Sequence, residues 1–143
     1  MNEKEKISRK LRIMKKYVDF LKLHKGVSER DLEYEYTLKS AIERNFQLAL
    51  EAVLETGEII ISVENFEKPE DYKSIILILG KNNIIPMDFA KRFAPSAGFR
   101  NILVHMYEEV DIKKLVKHLK NLNDFDVFAK HIAQYLKNFK NHL

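Results

Sequence analysis

Apolar side chains return along most of this chain at the spacing of one helix face. Over residues 3–24, Ile7, Leu11, Met14, Val18 and Leu21 step by 4, 3, 4 and 3, which sets them on a single stripe. Gly26 is the expected stop. Ser28 and Asp31 form a helix-start capping pair, with Asp in place of the usual Glu, and open a long second helix over 29–64. Leu38, Ala41, Ile42, Ala49, Ala52, Val53 and Ile60 recur there at helical spacing. Phe46 and Leu48 widen the stripe, so this helix should touch neighbours on more than one side. Gly57 is a candidate kink. Ile59, Ile60 and Ile61 are β-branched, yet the helical spacing runs through them and no partner strand is apparent, so they read as helix.

The remaining elements are shorter. Phe66 to Pro69 is a turn, and Pro69, Glu70 and Asp71 start a third helix with acids where the helix dipole favours them. Tyr72, Ile75, Ile76 and Leu79 form its buried face, and Gly80 to Asn83 breaks it. Pro86, Met87 and Asp88 start a fourth helix with Phe89, Ala90 and Phe93 inward. Pro95 and Gly98 predict a kink or short break near 94–98. Glu108 to Asp111 is a turn, Asp111 caps a short helix through Leu122, and Asn123 with Asp124 caps a last helix packed through Phe125, Phe128, Ile132, Tyr135, Leu136 and Phe139. The fold class is all-α: an antiparallel four-helix-type bundle with additional short helices, spanning 1–143 as a single domain.

Composition narrows the chemistry. There is no Cys, which excludes disulfides, thiolate metal sites and Cys catalysis and fits a reducing cytoplasm. The longest apolar run, Ile75 to Leu79, is far short of the ~18 residues of a membrane span. The basic N-terminus is interrupted by Lys15 and Lys16 where a signal peptide needs an apolar core. A cytoplasmic protein with no membrane partner is expected. The net charge of +4 is uneven. Residues 1–16 hold seven Lys or Arg against Glu3 and Glu5, and residues 112–143 hold seven Lys against Asp124 and Asp126. Basic ends on an acidic body steer polyanions such as RNA, although Lys-rich helix faces are also ordinary solvated surface.

Only Gly98 to Tyr107 gathers chemistry-bearing residues closely. Arg100 is a permanent cation, His105 can move a proton near neutral pH, and Asn101 and Tyr107 add hydrogen-bonding groups. In a helix, Asn101 and His105 are i,i+4 neighbours, and Arg100 and Tyr107 share a face. Ile102, Leu103 and Met106 then face the core. Taken singly, each polar residue has an ordinary surface or packing explanation. His24, His118, His131 and His142 are scattered, with His118 expected to be exposed in a Lys-rich segment. Tyr34 and Tyr36 look like packing plus surface. No carboxylate or His cluster has the look of a metal site, and no Gly-rich phosphate loop is present, so no cofactor is expected.

The run Arg100-Asn101, three residues, His105-Met106-Tyr107 resembles the Arg-x4-His-x-Tyr signature of HEPN-domain ribonucleases, in particular the HepT toxin family. Length, helical architecture and a long helix carrying Glu43-Arg44-x-Phe46-Gln47 extend the likeness over nearly the whole chain. The resemblance implies a metal-independent endoribonuclease toxin acting as a homodimer. It also implies a partner, an MntA-type nucleotidyltransferase antitoxin that transfers AMP from ATP to the motif tyrosine, here Tyr107. The residue types suit that activity. RNA supplies its own nucleophile in the 2′-OH. His105 serves as general base or acid, and Arg100 holds the phosphate and stabilises its developing charge. Asn101 either orients His105 or donates to a phosphate oxygen, and Tyr107 contacts RNA or accepts AMP. The alternative is a non-catalytic HEPN helical module that binds a nucleotidyltransferase subunit or RNA.

Overall fold

The computed structural model describes residues 1–105 and 110–139, with the His105 side chain outside that set. Among the described residues every regular element is a helix: α1 (Glu3–Leu23), α2 (Glu29–Tyr34), α3 (Tyr36–Glu64), α4 (Tyr72–Lys81), α5 (Met87–His105), α6 (Ile112–Leu119) and α7 (Asn123–Lys137). The all-α bundle expected from the periodicity is what forms. α3 is its spine: α1 lies along one side of it, and α4 and α5 pack against each other and against α3. α2 touches α3 and α6, and α7 reaches back to α1, where Lys22 donates to Asp126 at 2.6 Å.

The core is one cluster of aliphatic and aromatic side chains. Ile7, Leu21, Ile42, Ile60, Ile76 and Leu79 are fully buried. Phe93 meets Phe89, Phe125 and Phe128 with ring centroids 5.2, 5.7 and 5.7 Å apart. The single stripe of α1 is borne out, since Ile7, Met14, Val18 and Leu21 are its buried residues. The triple isoleucine is helical, with Ile60 and Ile61 buried.

Several boundaries differ from expectation. The long second helix is two helices broken at Glu35, whose φ of −114° and ψ of 84° are not helical. A straight 29–64 helix would be about 54 Å long and would overshoot its neighbours. The break folds one short helix back so that Leu32 is buried. Ser28 and Asp31 do make the reciprocal capping box, but at the start of α2. The same break leaves Tyr34 and Tyr36 about four-fifths exposed, so their packing role falls away.

Gly26 is no left-handed cap. α1 ends at Leu23 through His24, whose N–H bonds back to Leu21 and Lys22. Among the described residues Asn65 and Asn83 take the left-handed conformation, with φ of 57° and 61°. α3 runs on through Gly57, and α4 ends within the expected 80–83 stretch, at Lys81 with Asn82 as its C-cap. Gly57 and Gly80 are close-approach positions. A Cβ on Gly57 would sit 2.5 Å from Ile75 Cγ2, and one on Gly80 would sit 2.6 Å from Ala90 Cβ.

α4 starts at Tyr72, not Pro69, because Asp71 is the N-cap, accepting from the Ser74 N–H at 2.8 Å. The Ser74 hydroxyl, donating to the same oxygen at 2.6 Å, and then this backbone N–H hold the Asp71 carboxyl below the usual carboxylate range. α5 has no break at 94–98. Pro95 faces solvent while Ala94 and Ala97 face the core, so the Lys91 carbonyl that loses its partner lies on the wet side. Asp111 caps α6 as expected, accepting from Lys113, but α6 stops at Leu119. α7 starts without a side-chain cap from Asn123 or Asp124; backbone bonds from Asp124 to Asn121 and from Phe125 to Leu122 form the turn instead.

Candidate functional site

Arg100 projects from α5 into a small recess of about 240 Å³ walled by α3 and the start of α4. It is not a free cation. Nη2 donates to Glu51 Oε1 at 3.1 Å, and Nη1 donates to Tyr72 Oη at 3.1 Å. The guanidinium carbon also lies 4.8 Å from the Tyr72 ring centroid, within cation–π range. Gln47, one turn before Glu51, donates to the same carboxylate oxygen at 3.1 Å. The side chains of Arg100 and Glu51 are only 18% and 25% exposed, so this pair is screened less than a surface one.

The anchoring leaves donors unspent. Of the five N–H groups of a guanidinium, the hydrogen bonds to Glu51 and Tyr72 use two, and Nε is buried with no partner. A buried donor without a partner costs about 1–3 kcal/mol. Nε is closed off from an incoming group, and the donors left for an anion are the second N–H of Nη1 and of Nη2. The arginine is thus oriented by α3 and α4 while keeping hydrogen-bonding capacity for an anion. Opposing that, Glu55 and Glu58 share the recess, though Glu55 is paired with Lys10 of α1.

Asn101 is exposed and turns to the other side of Tyr72. There it lines a larger cleft of about 670 Å³ between the end of α3, the 65–71 connection and α4. Ile102 and Leu103 are partly buried against the core, as the helical reading expected. The backbone of α5 stays helical as far as His105. The His105 side chain and the whole of Tyr107, with Met106, lie outside the described residues.

His118 is not the exposed residue expected from its Lys-rich segment. Its ring stacks on Phe99, the residue before Arg100, at 4.1 Å and 18°, and meets Phe46 edge-on at 6.4 Å. Burial holds its pKa below the usual histidine value, and Lys117 and Lys114 push the same way. α6 is therefore tied to α5 right beside the arginine. Among the described residues no three His, Asp or Glu side chains converge as a metal site needs, and no helix is long and apolar enough to cross a membrane.

Sequence reasoning missed Glu51 and Tyr72 as partners of Arg100, and Gln47 as the support of Glu51. One signal was available. Glu51 interrupts the run Ala49-Leu50-Glu51-Ala52-Val53-Leu54, and a carboxylate within an apolar stretch of a central helix needs a partner.

The profile of the family described as ribonuclease HepT-like matches residues 7–132. The chain belongs to that family. Among its relatives is a tRNA nuclease HepT of Aphanizomenon flos-aquae (strain 2012/KM1/D3), 28% identical over 131 residues, covering 91% of this chain and 89% of the relative. An mRNA nuclease HepT of Shewanella oneidensis is 26% identical over 95 residues, or 66% and 71% of the two chains. The fold is also that of a tri-AMPylated Shewanella oneidensis HEPN toxin solved with its MNT antitoxin, with a TM-score of 0.80 at 23% identity over 94% of this HepT-like chain and 99% of the other.

Proposed function

We propose that this chain is the endoribonuclease toxin of a HepT/MntA type toxin–antitoxin pair. It cleaves RNA through Arg100 and His105 without a metal ion, and the antitoxin neutralises it by adding AMP to Tyr107. The observation that carries this reading is the family match across residues 7–132 combined with an Arg-x4-His-x-Tyr run that starts in the last turns of α5. The arginine's anchored yet donor-rich geometry supports its role. In-line attack by the 2′-OH needs a proton acceptor, a proton donor and charge stabilisation at phosphorus. His105 moves the proton, Arg100 holds the phosphate, and Asn101, exposed beside Tyr72, contacts RNA. The working form is a cytoplasmic homodimer whose two-fold brings a second arginine and histidine to a shared cleft.

The deciding experiment is RNA cleavage by wild type beside Arg100→Ala and His105→Ala, with EDTA present. Each folded variant should lose ~100- to 10,000-fold in rate, the span of general acid–base catalysis, while EDTA leaves wild type active. A wild-type rate in either folded variant sinks the assignment. Light scattering should give twice the chain mass, and a monomer at micromolar concentration would remove the dimer. The non-catalytic alternative draws on the Arg100–Glu51 pair, which already neutralises the cation. That alternative is what remains if wild type binds RNA or the nucleotidyltransferase and cuts nothing.

A further inference from the structure

Two spaces meet at Tyr72. The small recess of Arg100 and the 670 Å³ cleft beside Asn101 share Tyr72 and Glu58 as common wall. The cleft lies within the roughly 300–1,000 Å³ of small-ligand sites. Its walls are mixed in the way a planar heterocycle requires. Phe66 and Tyr72 offer aromatic surface, Ile61 and Ile75 an apolar floor, and Asn101 and Glu58 a polar edge.

Its charge argues against a phosphate. Glu58, Glu70 and Asp71 stand against Lys68 around the opening, so an anion is disfavoured there. The adjoining recess supplies the Arg100 guanidinium, with Glu51 already in its ion pair and Glu55 paired with Lys10. A nucleotide splits along the same line, with its phosphate anionic and its base neutral, planar and rich in hydrogen-bonding edges. Unpaired RNA bases are commonly read by stacking on aromatic side chains and by bonds to their edges. Resting on the ribonuclease reading, we propose that this cleft is a base-recognition subsite for the nucleotide whose phosphate Arg100 holds. It takes an unpaired base that carries an exocyclic amino group.

The preference follows from Glu58. A carboxylate only accepts hydrogen bonds. Guanine presents adjacent N1–H and N2–H donors to it, and adenine and cytosine present amino groups. Uracil offers one imino N–H flanked by two carbonyl oxygens, which a carboxylate repels. The expected order is guanine first and uracil last. Tyr72, which fixes the guanidinium on one side and forms the cleft wall on the other, sets the spacing between base and scissile phosphate.

The test pairs binding with cleavage. The four nucleoside 3′-monophosphates are titrated into the full chain by NMR, following aromatic resonances assigned to Phe66 and Tyr72. Short RNAs varied at one position are cleaved in parallel. GMP should shift these resonances at the lowest concentration and UMP at the highest. Phe66→Ala should weaken GMP binding roughly 5- to 150-fold, the worth of one stacked base. Glu58→Gln should flatten the order among bases, because an amide both donates and accepts. If RNA is cut but no nucleotide perturbs Phe66 or Tyr72 and folded variants keep the wild-type base profile, the subsite is overturned and the nuclease reading stands. If nucleotides bind in the expected order but no RNA is cut, the subsite stands and the nuclease reading fails. If Phe66→Ala dissociates a dimer and leaves nucleotide binding unchanged, a second copy occupies the cleft and the proposal fails.

Discussion

The chemistry of Arg100 is set by what surrounds it. Glu51 and Tyr72 fix the guanidinium from two helices at hydrogen-bond distance, and Gln47 holds the Glu51 carboxylate in turn, so Glu51 is a positioning residue with an electrostatic cost, since its charge competes with the substrate phosphate. Glu51→Gln should therefore move two kinetic constants the same way. The arginine, less well held, should lower kcat by roughly 10- to 100-fold, because small misplacements of an aligned group are expensive. The uncompensated cation should bind RNA more tightly and lower KM. A merely structural role for Glu51 would raise KM or leave it alone, and steady-state cleavage kinetics separate the two. His118 gives a second prediction at this scale. Its folded pKa lies below the ordinary value of about 6.5, so the unfolded chain binds its proton first as pH falls. Stability from this residue is complete above about pH 6.5 and is lost as pH drops through that value toward the folded pKa. Urea midpoints at about pH 7.5 and about pH 5 should fall further for wild type than for His118→Phe, which keeps an aromatic ring against Phe99 and has nothing to titrate. Equal falls in the two proteins would contradict it.

At the scale of the element, α5 carries the site and also breaks a helix rule. Pro95 stands in its interior, where proline costs roughly 3 kcal/mol through a lost hydrogen bond and a clash with the preceding turn. Its exposed position lets water take up the orphaned carbonyl, which is why the helix continues. Pro95→Ala restores the N–H and should stabilise the protein by about 1–3 kcal/mol, seen as a rise of several degrees in a thermal melt. An unchanged or lower melting temperature would mean that the ring itself packs usefully. The sequence pointed to proline at this place and read it as a kink or a short break; the break does not form, because which side of a helix faces water follows from the packing around it. The end of α4 within 80–83 was legible, but the close approach of Gly80 to Ala90 was not, because it depends on how α5 packs against α4. By contrast, the stripe of α1 and the Asp111 cap were legible because they depend only on neighbours three and four residues away. The break at Glu35 was illegible for the opposite reason: it serves the burial of Leu32, a need set by the bundle's length and not by the local residues.

For the molecule as a whole, the motif was visible as a string of residue types, whereas its working geometry is assembled from three helices that are far apart in the chain. Glu51, Tyr72 and Arg100 are separated by 21 and 28 positions, so only the fold brings them together. The proposed control acts at this scale, since it joins the site to a second protein. Tyr107 lies two residues past His105 and seven past Arg100. An AMP on its hydroxyl adds a bulky base and a negatively charged phosphodiester. That charge would compete for the unspent donors of Arg100 and repel the RNA backbone, so volume and electrostatics both oppose cleavage. Tyr107→Phe removes only the hydroxyl and should leave the fold intact. Incubated with the nucleotidyltransferase partner and ATP, wild type should gain one or more AMP units by intact mass and lose cleavage, while Tyr107→Phe gains none and continues to cut. If the variant gains the same mass, the acceptor is another residue. If modified wild type cuts RNA at its original rate, the modification does not control the enzyme, whatever the outcome at Arg100 and His105.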